Sequence, residues 1–77
     1  MNNVRRKTLN EIRDKIEELR GDLEAVMNEE EDYRDNMPEN LQNSERYEKA
    51  DDACNAMSEA IDMLDDVASN IEDIVTA

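Results

Sequence analysis

The sequence predicts an all-α chain, a two-helix antiparallel coiled-coil hairpin expected to dimerise into a four-helix bundle. Three observations predict it. Apolar or small residues recur at alternating three- and four-residue steps from Tyr47 to Val75, through Ala50, Cys54, Met57, Ile61, Leu64, Ala68 and Ile71, which is one helix face written in heptads. An earlier run keeps the same rhythm through Leu9, Ile12, Ile16, Leu19, Leu23, Val26, Glu30, Tyr33 and Met37, with Glu30 its one polar member. Between them lies the polar stretch Asn36–Asn43 with the chain's one proline, Pro38. Nothing reads as a strand.

The first helix is expected over residues 4–36. Met1–Lys7 is a short basic lead. Thr8 and Glu11 have the spacing of a capping box, so the helix starts either there or one turn earlier, at Asn3, with Val4 inside it. Glu11–Lys15, Arg20–Glu24 and Glu30–Arg34 are i,i+4 pairs of opposite sign. Gly21, in mid-helix, costs about 1 kcal/mol against Ala. It implies either close approach of a neighbour or a slight bend. The residue before a proline is steered away from the α region, so the helix stops at Pro38 and residues 37–43 form a loop. Ser44 is the expected N-cap of the second helix, residues 44–76. Glu45 in its first turn suits the helix dipole.

Two long helices joined by a short loop form an antiparallel hairpin. Matching the two apolar runs offers two registers. The preferred one folds about Pro38–Asn43 and pairs Ile12 with Ala68, Ile16 with Leu64, Leu19 with Ile61, Leu23 with Met57, Val26 with Cys54 and Tyr33 with Tyr47. The other slides the second helix by one heptad. The preferred register also lays Arg5, Arg6 and Lys7 beside Glu72 and Asp73, so that each cluster relieves the other at the unfavourable end of its own helix dipole.

The 77 residues form one small domain, which buries little core and needs either ideal helix packing or a partner. Net charge is −13 and unevenly spread: residues 1–20 hold six bases and four acids (+2), and residues 21–77 hold three bases and eighteen acids (−15). From Asp51 onward there are eight acids and no base. Such a chain is not expected to bind nucleic acid or anionic membrane directly, and a basic protein surface suits it better. No apolar run approaches the length of a membrane span, and no apolar stretch follows the Val4–Lys7 cluster as a signal peptide requires. With one cysteine, no disulfide forms within the chain, and a reducing, cytoplasmic setting is expected.

The absence of His removes the usual general base, zinc ligand and pH switch together. Cys54 lies on the main apolar line with no base to activate it, which reads as an inert core thiol. The acidic runs Glu29–Asp32, Asp51–Asp52 and Asp65–Asp66 lack the alternating ligands and glycine turn of a calcium loop, and adjacent acids on a helix point apart. A solvated acidic face is expected, with no metal, no cofactor and no catalytic residue; the chain is not expected to be an enzyme.

The second helix carries a further line of small and apolar residues: Ala53, Ala56, Ala60, Met63, Val67 and Ile74. The alanines admit another backbone and the larger residues offer apolar area. This line is expected to serve as a dimer face or as a docking face for another protein. At the hinge, Tyr33, Arg34, Arg46 and Tyr47 stand among acids. Two facing tyrosines would close the end of the seam and the arginines would pair with nearby carboxylates, while Tyr and Arg are also the residue types that dominate interface hot spots.

The hinge segment Glu29–Ala50, read as EEEDYRDNMPENLQNSERYEKA, resembles small, acidic, uncharacterised proteins of Firmicutes and their phages and mobile elements. Those share an E-rich run, then Y-R-D-N-[MI]-P-E-N-L-Q-x-S-E-R-Y-E-x-A, then acidic heptads. The likeness covers the hinge closely and the helices by pattern, and it implies provenance and shape. Phages and mobile elements also encode small acidic proteins that block nucleic-acid-binding host enzymes, anti-CRISPR proteins and glycosylase inhibitors among them. That is an analogy of charge and size.

Two function classes follow. In the first, the chain is an inhibitor that imitates a nucleic-acid backbone and occupies a basic site, with Glu48, Asp51, Asp52, Glu59, Asp62, Asp65 and Asp66 standing for phosphates. In the second, it is a structural or adaptor coiled coil whose apolar second line carries homo-oligomerisation while the acids keep it soluble.

Overall fold

A computed structural model describes all 77 residues. Helix α1 runs Asn3–Asp35, a single 3₁₀ turn occupies Glu39–Leu41, and helix α2 runs Glu45–Thr76. The chain is an all-α helical hairpin without strands. It is a rod of 60 × 14 × 13 Å with a radius of gyration of 17.5 Å, whereas a compact domain of this length has about 11.5 Å.

Helix α1 begins one full turn before Thr8. Its N-cap is Asn2, whose Oδ1 accepts from the Arg5 amide at 2.9 Å. Thr8 is instead inside the helix, and its hydroxyl donates back to the Val4 carbonyl at 3.1 Å. The capping-box expectation therefore fails in favour of the earlier start, because an Asx cap satisfies the same orphan amides and leaves six more residues helical. At the other end, Asn36 and Met37 amides close onto Asp32 and Arg34 carbonyls before Pro38 ends the ladder. The Ser44 hydroxyl accepts from the Tyr47 amide at 3.2 Å and donates to the Leu41 carbonyl, which ties the 3₁₀ turn to the start of α2.

The main line of α2 faces α1 along its whole length. Ala50, Cys54 and Ile61 are buried, and Tyr47, Met57, Leu64, Ala68, Ile71 and Val75 are half-buried. Helix α1 meets it with a different face from the one its apolar run predicts. Leu9, Ile16 and Leu23 turn inward, but Ile12, Leu19, Val26 and Tyr33 are exposed. Their place in the seam is taken by half-buried Arg6, Arg13, Arg20, Met27 and Arg34, again at heptad spacing. Helix α1 is thus rotated about its axis relative to the expected seam.

Two ion pairs across the helices go with the rotation. Arg20 Nε donates to Asp65 Oδ1 at 2.7 Å, and Arg34 donates through a terminal guanidinium nitrogen to Asp51 Oδ1 at 2.9 Å. Fourteen residues forward on α1 match fourteen residues back on α2, so one antiparallel register satisfies both. It lies between the two expected registers and sets Leu23 opposite Ile61 and Glu30 opposite Cys54. Long arginine stems also supply apolar cover for the seam. The same shift leaves Arg5, Arg6 and Lys7 without an ion pair, so the expected pairing with Glu72 and Asp73 does not form. Gly21 faces open space, with nothing within 4 Å of the position a Cβ would take, so it serves no close approach within the hairpin.

Candidate functional site

The register divides the hairpin lengthwise into two unlike edges. One edge is polar. Arg20 bonds Asp65 and also Glu24 one turn further along α1, and Arg34 holds Asp51 and Asp35, each at 2.9 Å. Both guanidinium groups are pushed above their ordinary range. For Arg20 the hydrogen bond to Asp65 contributes most, and for Arg34 the bond to Asp35 does. Two acids of the proposed mimic set, Asp51 and Asp65, are therefore engaged inside the hairpin.

The opposite edge is apolar. Leu19 precedes Arg20 by one residue and Tyr33 precedes Arg34 by one, a rotation of about 100° that carries both to the far side of the seam. On α2, Val67 and Ala53 follow Asp65 and Asp51 by two residues and swing to the same far side. In an antiparallel pair these two flanking lines lie next to each other. The hinge bears this out independently, because Tyr33 of α1 and Arg46 of α2 line one open pocket of about 300 Å³, with Asp32, Asn36, Met37, Pro38 and Leu41. The result is one continuous face, with Ile12, Leu19, Val26 and Tyr33 on α1 and Ala53, Ala60, Val67 and Ile74 on α2. Ala56 and Met63 stand at its α2 margin, both exposed. Leu19 is 58% and Met63 64% exposed.

The sequence reading placed this face on α2 alone. Apolar spacing alone puts Ile12, Leu19 and Val26 in the seam, because it treats arginine as an outward residue. The signal that finds them is the match between Arg20 and Arg34, fourteen apart, and Asp51 and Asp65, also fourteen apart. The hinge group is divided by the structure. Tyr33 and Arg46 border the pocket, Arg34 belongs to the polar edge, and Tyr47 is half-buried in the seam. The tyrosines do not close the seam as a pair. Met37, 7% exposed, sits in the hinge interior while Tyr33 is 48% exposed.

The rest of α2 is an acidic ridge. Glu45, Asp52, Glu59, Asp66 and Asp73 follow one another at heptad spacing, about 10.5 Å apart, with Glu48 and Asp62 alongside, and all seven are exposed. Only Glu45 has a basic partner, Lys49 at 3.1 Å. No three acids or thiols come close enough to hold a metal ion, and no helix is long and apolar enough to cross a membrane. Cys54 is buried, and burial pushes its thiol up from the ordinary range; nearby Glu31, Glu30 and Asp51 add to this and Arg34 opposes it. Its thiolate fraction at neutral pH is correspondingly small.

Compared with known proteins, the chain has no significant match to a family model, to a curated protein or to a solved structure.

Proposed function

We propose that this chain is a non-enzymatic protein-binding module that inhibits a basic, nucleic-acid-binding protein of a host or defence system, within the reducing cytoplasmic setting that free Cys54 suits. The observation that carries the reading is the unpaired acidic ridge of α2. Asp52, Glu59, Asp62 and Asp66 stand exposed on one helix and make no ion pair. A rigid row of carboxylates attracts a cationic groove without the entropy cost of ordering a flexible acidic tail. The phage and mobile-element likeness of the hinge bears on provenance, and small size with high acidity is the analogy to inhibitors from such elements. The test is competition against nucleic acid for a panel of basic nucleic-acid-binding proteins. Affinity falls steeply between 50 and 300 mM salt, roughly as expected for a contact dominated by charge, and the triple reversal Asp52→Lys, Glu59→Lys, Asp66→Lys abolishes it. Competition that ignores the reversal refutes the reading.

The apolar edge favours a second reading, an adaptor that acts by self-association into a four-helix bundle, with the acids serving solubility. Here Met63→Lys with Val67→Lys dissolves the assembly while the acidic-ridge reversal leaves it intact. An assembly that survives the apolar pair unchanged counts against this reading.

A further inference from the structure

Both helices of the hairpin are built for more neighbours than they have. A helix in a two-stranded coiled coil needs a narrow apolar seam, whereas one in a four-helix bundle needs a stripe wide enough for two partners. Helix α1 carries Leu9, Ile16 and Leu23 toward α2 and Ile12, Leu19 and Val26 beside them, pointing away. Helix α2 does the same with Met63, Val67 and Ile74. The two surplus stripes fall on one edge.

We propose that this composite two-helix face is covered by a second copy of the chain, packed face to face with the hinge of each hairpin over the terminal end of the other and α1 lying antiparallel on the partner's α1. The proposal rests on the self-association reading and adds to it the full face and the orientation.

Surface area leaves room for an occupant of that size. The hairpin exposes 5733 Å², whereas a compact monomer of 8.9 kDa exposes about 4,800 Å². The excess of roughly 900 Å² is close to what one partner buries in a standard interface. A second copy supplies a flat apolar face of the same length and width, and a face that is self-complementary closes a two-fold dimer with no edge left over.

Charge selects the orientation. The terminal end carries Arg5, Arg6 and Lys7 against Glu72 and Asp73, a net of +1, while Glu29–Asp52 carries ten acids against three bases, a net of −7. A dimer with both hinges at one end stacks −7 on −7. The antiparallel arrangement separates the two hinges by most of the 60 Å rod and sets each over the basic lead of its partner, where Arg5, Arg6 and Lys7 are otherwise unpaired. It also sets Leu19 over the partner's Val26 and Met63 over the partner's Ala60, large against small.

The test is a pulsed electron-spin distance on the full chain with Cys54→Ala and a spin label at Thr8→Cys, with the mass of the unlabelled wild type measured alongside by sedimentation. Thr8 lies near the terminal end and is exposed, so the label leaves the seam untouched. The antiparallel dimer places the two labels about 40 Å apart, from the 1.5 Å rise per residue on either side of the centre. A dimeric mass with labels within about 20 Å overturns the orientation and leaves self-association standing. A wild-type monomer at millimolar concentration overturns both, as does an assembly larger than a dimer for the single-copy occupant.

Discussion

Arg20 Nε donates to Asp65 Oδ1 at 2.7 Å across the two helices, on the side of the seam away from Leu19. Arg34 repeats it with Asp51 fourteen residues on. Turning these arginines into the seam turns Leu19 and Val26 out of it, and the exposed apolar edge is the consequence.

The bridges set register more than they add stability, since each carboxylate is half-exposed and screened by solvent. Arg34→Gln is expected to lower the thermal midpoint more than Arg20→Gln, because each arginine holds two carboxylates but the Arg34 side chain is the less exposed, at 21% against 36%. The Arg34→Gln, Asp51→Asn double variant loses less than the sum of the singles, as contacting residues do. Thermal melts of the four proteins at low and high salt check this, and strict additivity contradicts it.

Arg13 occupies the same heptad line without a partner across the seam. It reaches only its neighbour Asp14, at 3.6 Å, and its Nε is buried with no hydrogen bond. Met27 shows that an apolar residue fits this line. Arg13→Met therefore removes an orphaned donor and is expected to stabilise by about 1 kcal/mol, which raises the melting midpoint by roughly 4–8 °C in a domain of this size. A lower midpoint means that Arg13 has a partner in solution.

Gly21 lies on the outer surface of α1 with open space where its Cβ would be. Gly21→Ala is expected to gain about 0.5–1 kcal/mol by helix propensity alone, seen as a raised midpoint with an unchanged oligomeric mass. A fall in stability shows that a partner approaches the helix closely there.

Cys54 gives a pH signature. Its thiol is raised in the folded state by burial, so the native state holds its proton more tightly than the unfolded chain. Stability from this group is full below the unfolded thiol range and is lost as pH rises from there through the higher folded one, because the unfolded state deprotonates first. Chemical denaturation between pH 7 and 10 should show wild-type stability falling faster than that of Cys54→Ala. Thiol reagents at pH 7.5 should label Cys54 at the rate of opening. Immediate labelling, or parallel pH curves, contradicts the buried assignment.

The hairpin was legible because its signals are local and strong. Pro38 and Ser44 punctuate the chain, and α2 has a single dominant apolar line that can face only one way. Helix α1 was less legible because it has two apolar lines, through Leu9 and through Ile12, beside a third of arginines. Spacing alone ranks the pure apolar pair first. The face that meets α2 includes arginines whose partners lie as far as 45 residues away, as Arg20 and Asp65 show, and whose stems can pack. The start of α1 is two-valued in the sequence, at Thr8 or at Asn3, and the Asn2 cap selects the earlier one and keeps Val4–Lys7 helical. The α2 part of the apolar face was found from its own line, and the α1 part became visible only with the register.

The most direct measurement of the central claim is the solution mass of wild type and of Leu19→Lys with Val67→Lys, by light scattering over a concentration series, with circular dichroism on the same samples. Both residues are exposed in the hairpin and flank opposite helices of the apolar edge. The account predicts a wild type at twice the 8.9 kDa chain mass and a variant at the chain mass, with the variant's helix content retained at low temperature. Equal masses for the two proteins would contradict it, because the edge would then have no part in assembly.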